Sequence, residues 1–191
     1  MFELVKKIRE RTGAGMVAIK KAVDEAGGDE EKAIEILRKQ GDSKAAKKAD
    51  RVTKEGVVVS YVHSNKVGAL VKLLCETDFV ARNEEFVALA KDIAMHITAM
   101  SPKFIKPEDV PVELVEKEKE IWRALLETEK KPAEMIEKIM VGKEKKFREE
   151  SALLTQAFVK NPEITINELI VSAIGKMGEK IEVGEISRIE L

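Results

Sequence analysis

The sequence of 191 residues is 44% hydrophobic, so it is long enough to bury a core of ordinary size and to carry a small additional module. Its 34 lysines and arginines nearly cancel its 35 aspartates and glutamates, which argues against a protein drawn to nucleic acid or to an anionic membrane by its overall charge. One cysteine, Cys75, and two histidines, His63 and His96, exclude an intrachain disulfide and a zinc site made of cysteine and histidine.

Residues 1 to 41 predict a small module of three short helices. Gly13-Ala14-Gly15 separates the first helix from the second, Gly27-Gly28 ends the second, and Asp29 is suited to cap the third. Gly41 lies where the glycine that follows a helix is expected. Because a unit of this size has little core of its own, we expect it to carry one binding face. The apolar positions recur at helical spacing in three runs: Leu4, Val5 and Ile8; Met16, Ile19, Ala22, Val23 and Ala26; Ala33, Ile36 and Leu37.

Residues 42 to 54 form a basic linker with alanines between the charges, which predicts a solvated, partly helical segment. From Glu55 the apolar period changes to two, and Val57, Val59 and Tyr61 alternate as a strand. A polar turn at residues 63 to 66 leads to a second strand that ends at Cys75. These residues therefore predict a β-hairpin.

An acid stands beside an aromatic residue in the segment Thr77-Asp78-Phe79-Val80, between the second strand and a helix that Asn83 is suited to cap. We expect Asp78 and Phe79 on a short loop, where proteins present groups that act on other molecules. The local pattern leaves a second interpretation open, in which Phe79 folds into the core and Asp78 only caps a turn. The apolar residues of the following helix are Phe86, Leu89, Ala90, Ile93, Ala94 and Ile97.

The rest of the chain predicts an irregular crossing, three helices and a last strand. Gly142 is expected to interrupt the second of these helices, Thr165-Ile166-Asn167-Glu168 is a capping-box signature that opens the third, and Gly184 suits a bulge in the strand. Pro102, Pro107 and Pro111 mark the crossing, Val115, Trp122, Leu125 and Leu126 the first helix, and Ile136, Ile139, Met140 and Phe147 the second.

These elements predict an α+β fold, with a three-stranded antiparallel sheet packed with helices behind an N-terminal helical module and a helical linker. We divide the chain into the three-helix module at residues 1–41, the basic linker at 42–54 and an α+β core and dimerisation domain at 55–191. Since helices on one face leave the other face of a sheet uncovered, we expect self-association.

The residues expected of an enzyme are missing. No glycine-rich loop ends in Gly-Lys-Ser or Gly-Lys-Thr, and the carboxylates lie in solvated helical runs where they suit pairing with lysines four residues away. His63 falls in a turn and His96 among apolar helix residues, so neither suits a catalytic base. We therefore expect no covalent catalysis, no cofactor and no metal site. Without a signal peptide or a membrane-spanning stretch, a cytoplasmic protein is expected.

Two separate motifs resemble those of the bacterial elongation factor Ts family. Residues 5–16, which read Val-Lys-Lys-Ile-Arg-Glu-Arg-Thr-Gly-Ala-Gly-Met, are similar to the N-terminal signature of that family. Residues 77–80 match its Thr-Asp-Phe-Val motif. The sequence departs from the family where Lys72 and Leu74 replace an acid and an asparagine just before that motif. It also has one core half where longer members have two, so the resemblance implies a homodimer that rebuilds the full core.

The resemblance implies a translation elongation factor, a nucleotide exchange factor that promotes GDP release from the GTPase elongation factor Tu. It assigns Thr77, Asp78, Phe79 and Val80 to a wedge that enters the GTPase near its switch region and magnesium site. It assigns Arg11, Gly15 and Met16 to the docking face of an N-terminal module of the UBA-like type. Two alternatives stay open: a protein-binding adaptor without exchange activity, and a ribosome- or RNA-associated protein that uses the basic linker.

Overall fold

The computed structural model describes residues 1–129 and 132–191, and within them the predicted α+β fold is confirmed. Two compact units are present, one formed by Met1–Thr98 with Asn167–Leu191 and the other by Ala99–Ile166. The predicted boundaries at residues 41 and 54 stay a prediction. The helices are α1 Phe2–Thr12, α2 Met16–Glu25, α3 Glu30–Ala46, α4 Asp78–Ala81, α5 Glu84–Met100, α6 Val112–Thr128, α7 Ala133–Ser151 and α8 Ile166–Met177; the strands are β1 Glu55–His63, β2 Val67–Cys75, β3 Ala157–Phe158, β4 Asn161–Thr165 and β5 Glu182–Glu190.

The first three helices enclose a small core of their own. Gly13 ends α1 in the left-handed conformation, with φ of 64°, and Asp29 caps α3 by accepting a hydrogen bond of 3.0 Å from the Lys32 backbone N–H. Both predicted helix boundaries are thus confirmed. The buried residues of this core are Val5, Ile8, Ile19, Ala22, Val23, Ala33, Ile34 and Leu37.

The predicted end of α3 at Gly41 is wrong, because the helix continues to Ala46. Residues 42–46 include good helix formers such as Ala45 and Ala46, and one glycine costs a helix only about 1 kcal/mol. Gly41 serves a close approach instead. A β-carbon at this position would lie 2.9 Å from the Cγ1 atom of Val171 on α8, so the missing side chain lets the two helices meet.

The three-stranded sheet has the order β1-β2-β5 with both pairs antiparallel. Val71 of the central strand pairs with Val59 on one side and with Ile186 on the other. The register of β5 shifts between the pairs Lys72–Glu185 and Leu73–Val183, which leaves Gly184 as the extra residue and confirms the predicted bulge. One face of β2 is buried through Ala69, Val71, Leu73 and Cys75.

The opposite face of this sheet is exposed and largely apolar, as the arrangement of helices on one side predicts. Leu70 at its centre is 47% exposed, and Val58, Val62 and Ile189 around it are each at least 60% exposed. Helix α5 is tied to the other side of the unit, since the Arg188 Nε atom of β5 donates to the Thr98 carbonyl at 3.2 Å. Its buried residues include Phe86, Leu89, Ala90, Ile93, Ala94, His96 and Ile97.

In the second unit, helices α6 and α7 pack through Leu126, Ile136 and Met140, with Trp122 against this cluster. The interruption predicted at Gly142 is wrong, because α7 runs unbroken through it. Helix-forming residues flank this glycine on both sides, and they offset its cost of about 1 kcal/mol.

The small pair of strands β3 and β4 in the second unit was not predicted. It is too short to show a period in the sequence, since Ala157 pairs with Thr165 and Phe158 with Asn161. Within the parts of the chain that the structure describes, no helix has both the length and the apolar character required to cross a membrane.

Candidate partner-binding site

Asp78 and Phe79 lie on α4, a single helical turn, and not on the short loop that the sequence predicts. The turn forms because Thr77 acts as its N-cap, with a side-chain oxygen that accepts from the Val80 backbone N–H at 3.5 Å. The Arg82 N–H closes the turn on the Asp78 carbonyl at 3.0 Å. The backbone of this segment is therefore held by regular hydrogen bonds.

The side chain of Phe79 is 83% exposed. Ala81, two residues later, is buried, and two residues correspond to about 200° around a helix, so Phe79 faces away from the core. The interpretation in which Phe79 folds inward is therefore wrong. Burying such a side chain is worth on the order of 2 kcal/mol, and this free energy is available to a contact with another molecule.

The carboxylate of Asp78 is accessible and is only weakly engaged. Its Oδ2 atom lies 3.2 Å from the Nη2 atom of Arg82, four residues later, and the side chains of Asp78 and Arg82 are 45% and 81% exposed. An exposed pair of this kind contributes little to stability because water and salt screen it. Asp78 can therefore exchange this contact for one with a partner at small cost.

A second carboxylate, that of Glu179, holds the backbone just before α4. Its Oε2 atom accepts from the N–H groups of Glu76 and Thr77 at 3.1 and 3.0 Å, and its Oε1 atom accepts from the Thr77 hydroxyl at 2.6 Å. The sequence carries no signal for this contact, because Glu179 follows Gly178 in a turn 102 residues from Thr77. Only the folded chain brings the two segments together.

Glu76 makes the reciprocal contact. Its Oε1 atom accepts from the Lys180 backbone N–H at 2.6 Å, and both of its oxygens lie 3.3 Å from the Nη1 atom of Arg51. The N–H of Lys180, with the positive charge of Arg51 in support, holds the pKa of Glu76 below its ordinary value of 4.5. This carboxylate is therefore ionised at neutral pH, as the contact requires.

Cys75 ends β2 directly beside this site and is fully buried. Burial, with the nearby negative charge of Glu179 in addition, raises the pKa of its thiol to about 11. The thiol donates to the Thr77 carbonyl at 3.2 Å. It is a packed and unreactive group that adds to the support of the turn.

The other residues assigned by the resemblance lie at the junction of α1 and α2. Arg11 donates from its Nη1 atom to the carboxylates of Glu30 at 2.6 Å and Glu31 at 2.7 Å, so it joins α1 to the start of α3. Gly15 is exposed at the N-cap of α2, while Met16 is partly buried against the core of the three helices. These residues form a group separate in the chain from Thr77, Asp78, Phe79 and Val80.

The linker and α8 connect these two groups. Lys48 donates from Nζ to the Gly178 carbonyl at 2.8 Å, and Lys180 donates from Nζ to the Arg51 carbonyl at 3.1 Å. Near the middle of α8, the Ser172 hydroxyl donates to the carbonyl of Thr12, the last residue of α1, at 3.0 Å. Helix α8 and the turn after it thus contact both the α1–α2 junction and the support of α4.

No group of three or more histidine, cysteine, aspartate or glutamate side chains suited to a metal ion occurs among residues 1–129 and 132–191. The features that stand out are the exposed Asp78 and Phe79 and the hydrogen bonds that support them. This arrangement is suited to contact with a macromolecule, since Phe79 offers apolar area and Asp78 offers a hydrogen-bonding charge beside it.

Comparison with known proteins covers nearly the whole chain. The family model described as "Elongation factor TS" matches residues 3–191. Curated proteins with the name "Elongation factor Ts" include one from Fervidobacterium nodosum, 53% identical over 99% of this chain and 96% of its own length. Another, from Thermosipho melanesiensis, is 57% identical over 95% of this chain and 93% of its own length. A third, from Carboxydothermus hydrogenoformans, is 51% identical over 99% and 88%, respectively.

Proposed function

The chain belongs to the elongation factor Ts family and is a translation elongation factor, and we propose that it acts as a nucleotide exchange factor for the GTPase elongation factor Tu. In this proposal Asp78 and Phe79, with Thr77 and Val80 on either side, enter the GTPase near its switch region and promote the release of GDP. The observation that carries the proposal is the 83% exposure of Phe79 on a helical turn whose backbone is held from both sides.

Phe79 supplies the apolar part of the wedge. An aromatic side chain that enters a pocket of its partner is the typical centre of a protein interface, and it loses little conformational entropy because it has only two rotatable bonds. Since Glu179 holds Thr77 at the start of α4 by hydrogen bonds, the backbone that carries the ring resists displacement. The pocket in the GTPase must therefore adapt to the ring.

Asp78 supplies the polar part. The binding of GDP depends on a balance between the phosphate charge, Mg²⁺ and the protein groups around them. A carboxylate placed beside this site repels the phosphates and competes for the hydrogen bonds that hold the switch region. Asp78 is available for this role because its ion pair with the Arg82 side chain is exposed and contributes little to stability.

The proposal requires no chemical step, because the release of a nucleotide breaks no covalent bond. A factor that weakens GDP binding must itself be bound less tightly by the GDP complex, by the same ratio. An acceleration on the order of a thousandfold corresponds to about 4 kcal/mol in the barrier to release. A buried aromatic ring and one well-placed carboxylate can supply a free energy of this size.

The three-helix module provides a second contact with the GTPase in this proposal, through Arg11, Gly15 and Met16. The exposed backbone of Gly15 allows a close approach, and Met16 can adapt its unbranched side chain to an uneven surface. Arg11 supports the junction through its contacts with Glu30 and Glu31. Two contacts on one framework raise the effective concentration of the wedge once the module has bound.

We also propose that the protein forms a homodimer through the exposed face of the sheet, and that it acts in the cytoplasm, where translation takes place. Val58, Val62, Leu70 and Ile189 leave apolar area on this face that a second copy can cover. The three strands β1, β2 and β5 place these side chains on one face, and the twisted faces of two such sheets can pack against each other through apolar side chains.

The test of the proposal is stopped-flow release of fluorescent GDP from elongation factor Tu. We expect the unsubstituted protein to accelerate release, and Asp78→Ala with Phe79→Ala to remove most of the acceleration. The matched control replaces the adjacent acid and apolar residue on α6, Glu120→Ala with Ile121→Ala, since Ile121 is also exposed. Release at the unsubstituted rate in the Asp78, Phe79 variant would rule out the wedge.

The same measurement separates exchange from the adaptor alternative, because an adaptor binds the GTPase without changing the rate of GDP release. The RNA alternative depends on the basic linker. There, Lys48 and Arg51 already contact Gly178 and Glu76. RNA affinity that falls steeply with salt concentration would support that alternative.

A further inference from the structure

The carboxylates of Glu76 and Glu179 link the turn before α4 to the turn after α8, because each accepts hydrogen bonds from the other turn. Glu179 accepts three hydrogen bonds from Glu76 and Thr77, and Glu76 accepts one from Lys180 at 2.6 Å. Each turn therefore supplies both the backbone donors and the carboxylate for the other. A single side-chain contact can rotate about its bonds, whereas two reciprocal contacts fix the distance and the orientation of the two backbones together.

We propose that Glu179 is a positioning residue for nucleotide exchange, which holds α4 in the orientation that Asp78 and Phe79 need and ties it to the module that docks on the GTPase. This inference rests on the proposed function. It concerns a residue outside the two motifs of the resemblance, and Glu179 itself makes no contact with the GTPase in this scheme.

The hydrogen bonds of Glu179 act on the residues that set the direction of α4. The Thr77 hydroxyl donates to Glu179 at 2.6 Å and also accepts from the Val80 N–H. The same oxygen atom therefore serves as the N-cap of α4 and as the contact with Glu179. A helix of four residues has no stability of its own, because the conformational entropy lost in forming the first turn exceeds the free energy of its hydrogen bonds. The direction of Phe79 therefore depends on how Thr77 is held.

The connection to the docking module passes through α8 and the linker. Ser172 near the middle of α8 contacts the end of α1 through the Thr12 carbonyl, next to the predicted docking residue Arg11. Lys48 of the linker contacts Gly178 just after α8, and Arg51 of the linker contacts Glu76 just before α4. A docked module thus presents α4 to the GTPase in one orientation. Removal of Glu179 breaks the hydrogen bonds to Glu76 and Thr77 that join the turn after α8 to α4.

The experiment is a double-mutant cycle on the maximal rate of GDP release, with Glu179→Ala, Phe79→Ala and the two together. If Glu179 acts through the wedge, Glu179→Ala lowers the maximal rate on the order of tenfold and changes the half-saturating concentration less than about threefold. The double variant then releases GDP no more than about twofold more slowly than Phe79→Ala alone. Glu120→Ala on the exposed surface of α6 serves as the control and leaves both quantities unchanged.

Glu179→Gln keeps the length of the side chain, one acceptor for the two backbone N–H groups and an amide that can donate to the Thr77 hydroxyl. It is expected to retain a rate within about threefold of the unsubstituted protein, and the same cycle can be run with it if the alanine variant does not fold. An alanine variant that folds and releases GDP at the full rate overturns the inference. So does a double variant in which the two losses multiply, since Glu179 would then act independently of Phe79.

The result for Phe79→Ala alone separates the two proposals. If Phe79→Ala releases GDP at the full rate, the wedge is ruled out, and the positioning role of Glu179 is ruled out with it. A low rate together with multiplying losses leaves the proposed function standing and removes only the role of Glu179.

Discussion

The carbonyl oxygen of Leu73 occupies the space that a side chain on Gly56 would need. Gly56 is the second residue of β1 and pairs with Leu74 in β2, so the two strands meet here with no room for a β-carbon. Backbone atoms cannot move aside as a flexible side chain can. This contact fixes the start of the hairpin whose second strand leads into the turn before α4.

We expect Gly56→Ala to lower the free energy of unfolding by about 2 kcal/mol or more, because the strands must separate to admit the methyl group. Gly142→Ala in α7 is the matched control. A β-carbon there meets nothing within 4 Å, so alanine should raise the stability by up to about 1 kcal/mol. Urea unfolding measures both, and equal stability of the two variants would contradict the close approach at Gly56.

The stability of the fold should fall in acid because of carboxylates such as Glu76 and Glu144. The Lys180 N–H lowers the pKa of Glu76, and the side chains of Lys119 and Arg148 lower that of Glu144, both from an ordinary value of 4.5. Since each folded-state pKa lies below the unfolded one, the contribution is present above about pH 4.5 and is lost as the pH falls further towards the folded pKa.

Urea unfolding between pH 6 and pH 3 measures this loss. Glu76→Gln and Glu144→Gln should each flatten the decline below pH 4.5, because one ionised carboxylate that is held in the fold has been removed. Glu120→Gln, which changes an exposed carboxylate of α6, should keep the slope of the unsubstituted protein. Parallel curves for all three variants would show that these two contacts do not set the acid limit.

Cys75 should resist alkylation in the folded protein. The thiol is fully buried, and its pKa of about 11 leaves on the order of one part in a thousand as thiolate at pH 8. We expect iodoacetamide to label it at least a hundredfold more slowly than in denaturant, where burial and the charge of Glu179 no longer act. Mass spectrometry over time gives the two rates, and equal rates would mean that the end of β2 opens readily.

The proposed dimer can be tested at the centre of the exposed sheet face. Leu70→Glu places a charge beside Lys72 on the same face, which a solvated sheet tolerates but a buried interface does not. We expect a folded monomer by sedimentation equilibrium. Val141→Glu, at an exposed position of α7, should leave the mass of the unsubstituted protein unchanged. A dimer that persists in Leu70→Glu would place any interface elsewhere.

Local patterns in the sequence predicted most of the elements and the motif of the site. The cap at Asp29 is predictable because a short polar side chain there can accept from a backbone N–H three residues on, and this needs no distant partner. The same locality explains the two wrong helix boundaries. A glycine can end a helix or lie within it, and no neighbour of Gly41 in the sequence indicates its close approach to Val171, which is 130 residues away in the chain.

The amino-acid sequence by itself determined the α+β class, the bulge at Gly184 and the presence of an acid beside an aromatic residue after β2, since periodicity and short-range hydrogen bonding act between near neighbours. Only the tertiary structure decided that Phe79 points to solvent and that Glu76 and Glu179 hold the turn beneath it. Side-chain direction and reciprocal hydrogen bonds arise when distant segments pack together, and such contacts leave no periodic trace in the chain.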